Sequence, residues 1–168
     1  MIHPIPPICD SDCRILILGS FPSGKSREGM FFYHHPQNRF WQVMAAVLEA
    51  PVPETIAEKT DLLLRNHIAL WDVIASCEIT GSSDSSIRSV IPNDLAPLLA
   101  AAPIKAVFCN GGTAFRLYNR YARQQTGLEA ALLPSTSPAN AAWSLPRLIE
   151  AWQLLRTPLG IYKNFTKH

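Results

Sequence analysis

The sequence has no long apolar run, no strong excess of charge of one sign and no secretion signal. It contains no stretch of about 18 apolar residues, the length that a membrane-spanning helix needs. Its first residues, MIHPIPPICDSD, lack the basic start and the long apolar core of a signal peptide. The net charge is only +2, which argues against a polycationic nucleic-acid binder and leaves a local basic face open. These absences predict a cytoplasmic protein with no membrane contact.

Paired cysteine motifs are also absent. The chain has no C-x-x-C motif among its four cysteines, which are Cys9, Cys13, Cys77 and Cys109. This spacing differs from that of paired-cysteine zinc motifs and indicates free thiols in a reducing compartment. His34 and His35 are adjacent, so they cannot chelate one metal ion from a single face. We therefore expect no metal and no cofactor.

The length and composition indicate a single globular domain. The chain has 168 residues, 48% of them hydrophobic, which is enough to bury a sizeable core in one domain spanning residues 1–168. Pro4, Pro6 and Pro7 make residues 1–11 an irregular segment, which we expect to lie across the domain surface. Residues 157–168 are expected to form a C-terminal tail.

Apolar strands alternate with amphipathic helical segments along the chain. Strands are predicted at residues 14–19, 67–71, 104–109 and 130–133. Helices are predicted at residues 38–50, 54–66, 93–102, 113–124 and 144–156, and the polar residues 75–91 are expected to form a loop. The alternation predicts an α/β fold: a three-layer α/β/α sandwich with a central, mostly parallel four-stranded sheet.

Residues 14–44 are the most informative about function, because an apolar strand stops there at Gly19. Open α/β sheets bind their ligands at the carboxyl ends of strands. The run from Gly19 to Ser26, GSFPSGKS, matches the phosphate-binding pattern G-x-x-x-x-G-K-[ST], and Asp72 after the second strand could hold Mg²⁺. A P-loop NTPase or phosphotransferase is therefore one interpretation.

Two features of the same stretch count against a phosphate-binding loop. Pro22 lies in the middle of the loop and has no N–H to offer a phosphate. Gly29 and Pro36 interrupt the helical period that follows, so no helix is expected to begin at Lys25.

A second interpretation fits more of the chain. Residues 35–41 read HPQNRFW and residues 133–140 read LPSTSPAN, and residues 70–78 and 108–111 read LWDVIASCE and FCNG. Over residues 12–155 the chain thus resembles the uracil-DNA glycosylase superfamily, and most closely its hypoxanthine-DNA glycosylase branch. The resemblance implies a monomeric, monofunctional DNA glycosylase of base excision repair that hydrolyses the N-glycosidic bond of deaminated bases in DNA. Hypoxanthine would be the preferred substrate, and uracil and xanthine are further candidate substrates. A non-catalytic nucleic-acid-binding domain of the same fold is the other alternative.

The resemblance also implies residue roles. The asparagine of the His-Pro-x-Asn segment is catalytic in the hypoxanthine branch, which assigns that role to Asn38, although its position also suits a helix cap. Tyr33 matches the aromatic residue that stacks on the extruded base, although an ordinary core aromatic would look the same. The loop containing Gly19, Ser20 and Phe21 would contribute backbone N–H donors to the base.

Asp72 stands where uracil enzymes place a base-reading asparagine. An ionised carboxylate only accepts hydrogen bonds, and deamination of adenine turns N1 from an acceptor into a donor, so Asp72 could recognise hypoxanthine. The alternative is that Asp72 caps the following loop. Leu133 replaces the histidine with which uracil enzymes stabilise the leaving base, so fast uracil removal is not expected.

The second specific loop, residues 134–142, resembles the segment that presses into DNA beside a flipped base. The candidate DNA contacts are Pro22, Ser135, Thr136, Ser137, Pro138, Ala139 and Asn140. His35 is expected to hydrogen-bond within its loop. Lys25 is the one lysine of residues 14–44, so we expect no strand-cleaving lyase activity.

Overall fold

The computed structural model describes residues 1–79 and 86–161. The central sheet contains four strands, which are β1 (Ile15–Gly19), β2 (Ile68–Asp72), β5 (Ala106–Asn110) and β6 (Ala130–Leu133). The four strands are parallel and lie in the order β2-β1-β5-β6, which confirms the predicted central sheet. Two further strands, β3 (Ile74–Glu78) and β4 (Arg88–Pro92), pair antiparallel in a separate small sheet.

Helices cover both faces of the central sheet, as the predicted sandwich requires. Alternate residues of β1 enter two different apolar clusters: Ile15 and Ile17 in one, Leu16 and Leu18 in the other. The helices are α1 (Gly24–Gly29), α2 (Phe40–Val47), α3 (Ile56–Arg65), α4 (Ala96–Ala101), α5 (Gly112–Tyr121), α6 (Arg123–Thr126) and α7 (Leu145–Trp152), which a 3₁₀ turn at Gln153–Leu155 extends. Residues of α2, α3 and α7 pack in the first cluster and residues of α4 and α5 in the second.

A short helix, α1, begins at Gly24 and includes Lys25 and Ser26, so the expectation that no helix begins there is wrong. The Ser23 side chain caps α1 by accepting a hydrogen bond from the backbone N–H of Ser26, and the helix ends at Met30 in the left-handed conformation. Gly29 is the last of the six helical residues, so this glycine does not prevent the helix. The local cap at Ser23 outweighs the interrupted helical period.

The expectation of a loop at residues 75–91 is also wrong for the residues that the structure describes. β3 and β4 pair over this region with register shifts between Ile74 and Ser76 and between Ser76 and Glu78. Residues 80–85 lie outside the described residues. β3 reads IASCE and β4 reads RSVIP, and β4 is mostly exposed, so neither shows the apolar alternation that identifies a strand in a sequence.

The first eight residues, which we call the N-terminal strap, cross the domain surface without forming a regular helix or strand, and part of the strap is buried. Ile5 and Ile8 are buried in the core cluster beside β2. The backbone N–H of Ile8 donates to Leu70 at 2.9 Å, and Trp71 Nε1 donates to the Ile5 carbonyl at 3.0 Å. Because β2 is an edge strand, the strap satisfies backbone groups that would otherwise be open to another chain.

The segment predicted as a C-terminal tail begins with ordered turns. Residues 157–161 fold back, and Leu159 is buried in the same core cluster as α7. Residues 162–168 of the predicted tail lie outside the described residues. Within the described part of the chain, no helix combines the length and apolar character that crossing a bilayer requires.

Candidate active site

A cavity of about 760 Å³ opens at the carboxyl ends of β1 and β2. This edge of the sheet is where the sequence placed the site. The predicted residues that line the cavity are Gly19, Ser20, Phe21, Pro22, Tyr33, Asn38, Asp72, Ser135, Thr136, Ser137, Pro138 and Ala139. Asn140 lies instead in a neighbouring cavity of about 580 Å³. Four separate segments of the chain thus converge on one space.

Gly19 allows two functional side chains to approach the end of β1. It pairs in register with Asp72, the last residue of β2. A Cβ atom at residue 19 would lie 2.4 Å from Asp72 Oδ1 and 2.9 Å from the Tyr33 hydroxyl oxygen. No larger residue fits there unless the carboxylate moves, so Gly19 keeps the wall of the cavity open for Asp72 and Tyr33.

The Asp72 carboxylate is buried and bonds to a residue of the N-terminal strap. Its Oδ2 lies 2.8 Å from Nε2 of His3, and the two side chains are only 5% and 2% exposed. The backbone N–H groups of Val73 and Ile74, which follow β2, donate instead to the carbonyl oxygens of Gly19 and Ser20. The geometry does not match the loop-capping alternative for Asp72.

The ring of Tyr33 is half-buried at the cavity wall. It stacks on Phe40 with a centroid separation of 4.2 Å and an interplanar angle of 23°. Phe40 covers one face of the phenol, so a planar ligand in the cavity could stack only on the other face. The residue has a positive φ of 51°, in the left-handed region that a tyrosine rarely adopts.

Asn38 serves as a helix cap and also lines the cavity. Its Oδ1 accepts a hydrogen bond from the backbone N–H of Phe40, the first residue of α2, at 2.9 Å. The same oxygen accepts from the Thr136 hydroxyl at 2.9 Å. Because a backbone N–H can only donate, this contact fixes which end of the amide is oxygen. Both lone pairs of that oxygen are engaged, which leaves the Nδ2 group of Asn38 to act on a ligand.

Hydrogen bonds between the 134–142 loop and β5 set the direction of the Thr136 proton. The backbone N–H of Thr136 donates to Asn110 Oδ1, and Asn110 Nδ2 donates to the Thr136 hydroxyl oxygen, both at 3.0 Å. The hydroxyl proton is therefore directed to Asn38. Thr136 is fully buried, which favours a positioning role over the phosphate contact that the sequence suggested.

Arg39 holds the second loop against α2. Its guanidinium donates to the carbonyl oxygens of Ser137 and Asn140, both at 3.1 Å, and also to that of Trp143. A planar guanidinium can satisfy several carbonyls at once with little loss of side-chain entropy. The residue next to Asn38 thus sets the position of the loop predicted to meet DNA.

The loop is also ordered by its own serines. The Ser135 and Ser137 hydroxyl oxygens each accept a hydrogen bond, at 3.1 Å, from the backbone N–H two residues further on. Gly111, at a φ of 96°, lies so close that a Cβ there would be 3.1 Å from the Ser135 Cβ. Ala139 is exposed at the tip of the loop. The predicted DNA-contacting segment is therefore rigid and carries no large side chain at its tip.

The parts of a phosphate-binding loop are present in the sequence but are not assembled. The Lys25 ammonium lies 3.7 Å from Glu28 and its side chain is 58% exposed. The Ser26 hydroxyl is buried, where its oxygen accepts hydrogen bonds from the His34 N–H and the Ser23 hydroxyl. Neither side chain is placed to hold a nucleotide phosphate or its Mg²⁺.

The thiols are free and lie outside the cavity. Burial raises the pKa of Cys109 to about 12, and burial is also the main reason that the pKa of Cys13 rises to about 12. Both remain protonated at neutral pH and are poor nucleophiles. Across residues 1–79 and 86–161, no group of three or more His, Cys, Asp and Glu side chains could hold a metal ion.

Several cavity residues were not predicted as site residues. The lining also includes Ser23, Ser26, Phe32, His35, Asn110, Thr113 and Arg116. His35 Nδ1 accepts from the Gln37 N–H at 3.1 Å, which confirms its loop role. Arg116 is the exposed cation at the rim of the cavity. Leu133 is fully buried and does not line this cavity. Only the tertiary fold brings α5 to this edge, so local sequence patterns gave no signal for Thr113 or Arg116.

Comparison with known proteins agrees with this geometry. The model of the uracil DNA glycosylase superfamily matches residues 6–156. The chain is 34% identical over 149 residues to a hypoxanthine DNA glycosylase of Methanosarcina acetivorans, which covers 88% of this chain and 93% of that protein. It is 33% identical over 137 residues to a hypoxanthine DNA glycosylase of Methanosarcina barkeri, a match that covers 80% of this chain and 85% of that protein. Its fold is similar to the solution NMR structure of a candidate uracil DNA glycosylase from Methanosarcina acetivorans, with a TM-score of 0.77 and 30% sequence identity. The match covers 92% of this chain and 99% of that chain.

Proposed function

Because this chain belongs to the uracil DNA glycosylase superfamily, we propose that it is a monofunctional DNA glycosylase that removes deaminated bases, hypoxanthine first. The observation that carries the proposal is the convergence of Asp72, Tyr33 and Asn38 on one cavity beside the 134–142 loop. A base cannot be cleaved within the helix stack, so the target nucleotide must be flipped into such a cavity.

Asp72 reads the edge of the flipped base in this proposal. Hypoxanthine carries a proton on N1, whereas adenine presents a lone pair there. An ionised carboxylate accepts a hydrogen bond from the N1–H of hypoxanthine and repels the N1 lone pair of adenine. A site that relies on such a bond rejects the analogue lacking the donor more strongly than an apolar pocket can. Xanthine and uracil also carry a ring N–H and are the secondary substrates that we propose.

Asn38 assists departure of the base. In hydrolysis, the oxygen of water bonds to C1′ of the sugar while the bond between C1′ and the base nitrogen breaks. The bonding pair leaves with the base, and the proton released by water passes to the base or the solvent. The amide oxygen is occupied by Thr136 and Phe40, so the amide acts as a donor through Nδ2 and stabilises the negative charge that develops on the leaving base.

The rim of the cavity accounts for DNA binding. We assign phosphate contacts to Arg116 and to the hydroxyls of Ser135 and Ser137, and van der Waals contacts with the DNA to Pro22, Pro138 and Ala139. Asn140 lies beside this rim, and its side chain bonds within the loop to the Ser135 carbonyl at 3.0 Å. In this proposal Asn140 supports the shape of the DNA-contacting loop.

Uracil should be removed slowly. The buried Leu133 supplies no donor at the position from which uracil enzymes stabilise their leaving base. The proposed reaction draws on water and protein donors, so we propose that it uses no metal or cofactor, and we propose that the protein is a monomer. We place it in the cytoplasm, where free thiols such as Cys109 stay reduced.

One experiment tests the proposed function. A labelled duplex with a single deoxyinosine is incubated with the protein and then with alkali, and strand breakage at that position is measured. We expect a break that depends on protein and on alkali, and no break in the matched duplex with deoxyadenosine. Intact deoxyinosine DNA would overturn the proposal. Intact DNA combined with ATP hydrolysis would favour the phosphotransferase interpretation.

A further inference from the structure

His3 lies behind the wall of the active-site cavity and contacts the residue that we assign to base recognition. Its Nε2 is 2.8 Å from Asp72 Oδ2, and its Nδ1 is 3.1 Å from the backbone nitrogen of Ile5. The Ile5 N–H can only donate, so Nδ1 must accept and Nε2 carries the proton. His3 therefore donates a hydrogen bond to the carboxylate from a ring whose tautomer is fixed by the backbone.

Aromatic neighbours fix the plane of the His3 ring. The imidazole meets Phe21 edge-on, with centroids 5.8 Å apart and an angle of 89°. It meets Trp71 at 6.2 Å and 72°, and Phe32 at 6.2 Å and 48°. Phe21 and Phe32 themselves line the cavity, whereas His3 does not. The ring thus forms a supporting layer behind the residues that a base would touch.

Hydrogen bonds to the backbone hold the N-terminal strap at His3 and at the residues that follow it. The His3 N–H donates to the Ala75 carbonyl at 2.7 Å, and the Ile8 N–H donates to the Leu70 carbonyl at 2.9 Å. Ile5, between them, accepts from Trp71 Nε1 at 3.0 Å. His3 is therefore held by bonds to β2 and β3 and has little freedom to leave Asp72.

The hydrogen bond from His3 makes the two carboxylate oxygens of Asp72 different from each other. Oδ2 is occupied by the imidazole, while Oδ1 points toward Gly19 and the Tyr33 hydroxyl. We propose that His3 is a specificity-determining positioning residue, which fixes Asp72 so that Oδ1 accepts the ring N–H of a deaminated base. This inference rests on the proposed function. His3 precedes residues 6–156, the part matched by the family model, so the family pattern assigns it no role.

The test uses three variants of the full chain. His3→Phe keeps an aromatic ring among Phe21, Phe32 and Trp71 but removes the donor. His3→Gln places an amide N–H near the position of Nε2 and is the conservative replacement. Asp72→Asn removes the acceptor and provides the background for a double variant with His3→Phe. Thermal melting of each variant is measured alongside activity.

Two substrates separate positioning from general structural damage. Single-turnover excision is measured for deoxyinosine and for the deoxynucleoside of unsubstituted purine, which presents a lone pair at N1. We expect His3→Phe to slow deoxyinosine excision roughly ten- to hundredfold, the effect of losing a hydrogen bond to a charged group. The deoxyinosine-to-purine rate ratio should fall by a similar factor, and His3→Gln should recover most of it. In the Asp72→Asn background, His3→Phe should have no further effect on the ratio.

The possible results divide clearly. An unchanged deoxyinosine-to-purine ratio in His3→Phe would overturn the inference, whether or not both rates fall. If His3→Phe does not fold, His3→Leu, which also lacks the donor, takes its place: a ratio that falls in His3→Leu and is retained in His3→Gln supports positioning, and an unchanged ratio in His3→Leu opposes it. Failure of the unmodified protein on deoxyinosine would instead contradict the proposed function, which keeps the two failures distinct.

Discussion

The Thr136 hydroxyl donates a 2.9 Å hydrogen bond to Oδ1 of Asn38, joining the catalytic candidate to the loop predicted to contact DNA. The same oxygen accepts from the first N–H of α2. Arg39 also joins the loop to α2, so the position of the amide is tied to the position of the loop. The Asn38 side chain can therefore act on a ligand only as a hydrogen-bond donor, through Nδ2.

Two substitutions at Asn38 separate donation from acceptance. Asn38→Ala should lower single-turnover excision of hypoxanthine by roughly 10²- to 10³-fold, the usual effect of removing one donor to a developing anion. Binding to abasic DNA should survive. Asn38→Asp keeps an oxygen for Thr136 and Phe40 but loses the donor, so it should be as inactive as alanine. Activity retained in Asn38→Asp would show that the side chain accepts a bond from water.

Thr136 should control activity through Asn38. Thr136→Val keeps the shape but removes the hydroxyl that bonds to Asn38 and Asn110, and each unsatisfied buried group costs about 1–3 kcal/mol. We expect a lower melting temperature and about tenfold slower excision, roughly the effect of losing one hydrogen bond. Thr136→Ser retains the hydroxyl and should remain close to the unmodified protein in both measurements. Equal losses in valine and serine would point to packing of the missing methyl group.

The central sheet was predictable because its signals are local. Continuous apolar runs such as Ile15–Leu18 mark strands buried on both faces, and the Ser144 cap marks the start of α7. The cavity position followed from the fold class, since parallel strands end at one edge. Asn38 and Asp72, which the resemblance named, both line this cavity, and their roles stay predictions.

The parts that were missed depend on contacts between distant residues. His3 and Asp72 are 69 positions apart, and Arg39 reaches carbonyls 98 and 101 positions away. A histidine in a proline-rich segment carries no local sign that it will be buried. β4 was missed for a related reason. Its residues are mostly exposed and are held by backbone pairing with β3, and the pattern of side chains in a sequence does not reveal backbone pairing.

Gly19→Ala should abolish excision while preserving the fold. The added Cβ would overlap Asp72 Oδ1 at 2.4 Å and press on the Tyr33 hydroxyl at 2.9 Å, so the carboxylate must rotate away from its place in the wall. Gly112→Ala is the matched control, because a Cβ there has no neighbour within 4 Å. Single-turnover rates and melting curves should show a large rate loss for Gly19→Ala alone. Normal activity in that variant would mean that base recognition does not need Asp72 in this orientation.

The product should be an intact abasic site without lyase cleavage. Lyase chemistry needs an amine in the cavity, and no lysine within residues 1–79 and 86–161 lines it. Burial lowers the pKa of Lys59, but this ammonium lies 5.4 Å from the ring centroid of Trp41 and not in the cavity. Borohydride should trap no adduct between protein and abasic DNA. An adduct that disappears in Lys25→Ala or Lys59→Ala would contradict this expectation.

Base pairing should limit the rate, because the exposed tip of the DNA-contacting loop is Ala139. Extruding a base costs a few kcal/mol, and least where pairing is poor. The methyl group of Ala139 can do little to hold the stack open, so excision should be faster from single strands and mismatches than from the most stable pairs.

Ala139→Leu supplies an apolar wedge of the kind that fills unstacked steps. It should speed excision from stable pairs several-fold, since a small part of the unstacking cost of a few kcal/mol corresponds to such a factor, and should leave the single-strand rate unchanged. Ala101→Leu, on an exposed position of α4 away from both cavities, is the matched control and should alter neither rate. Equal rates for Ala139→Leu and the unmodified protein on every pairing partner would show that flipping is not the step that pairing controls.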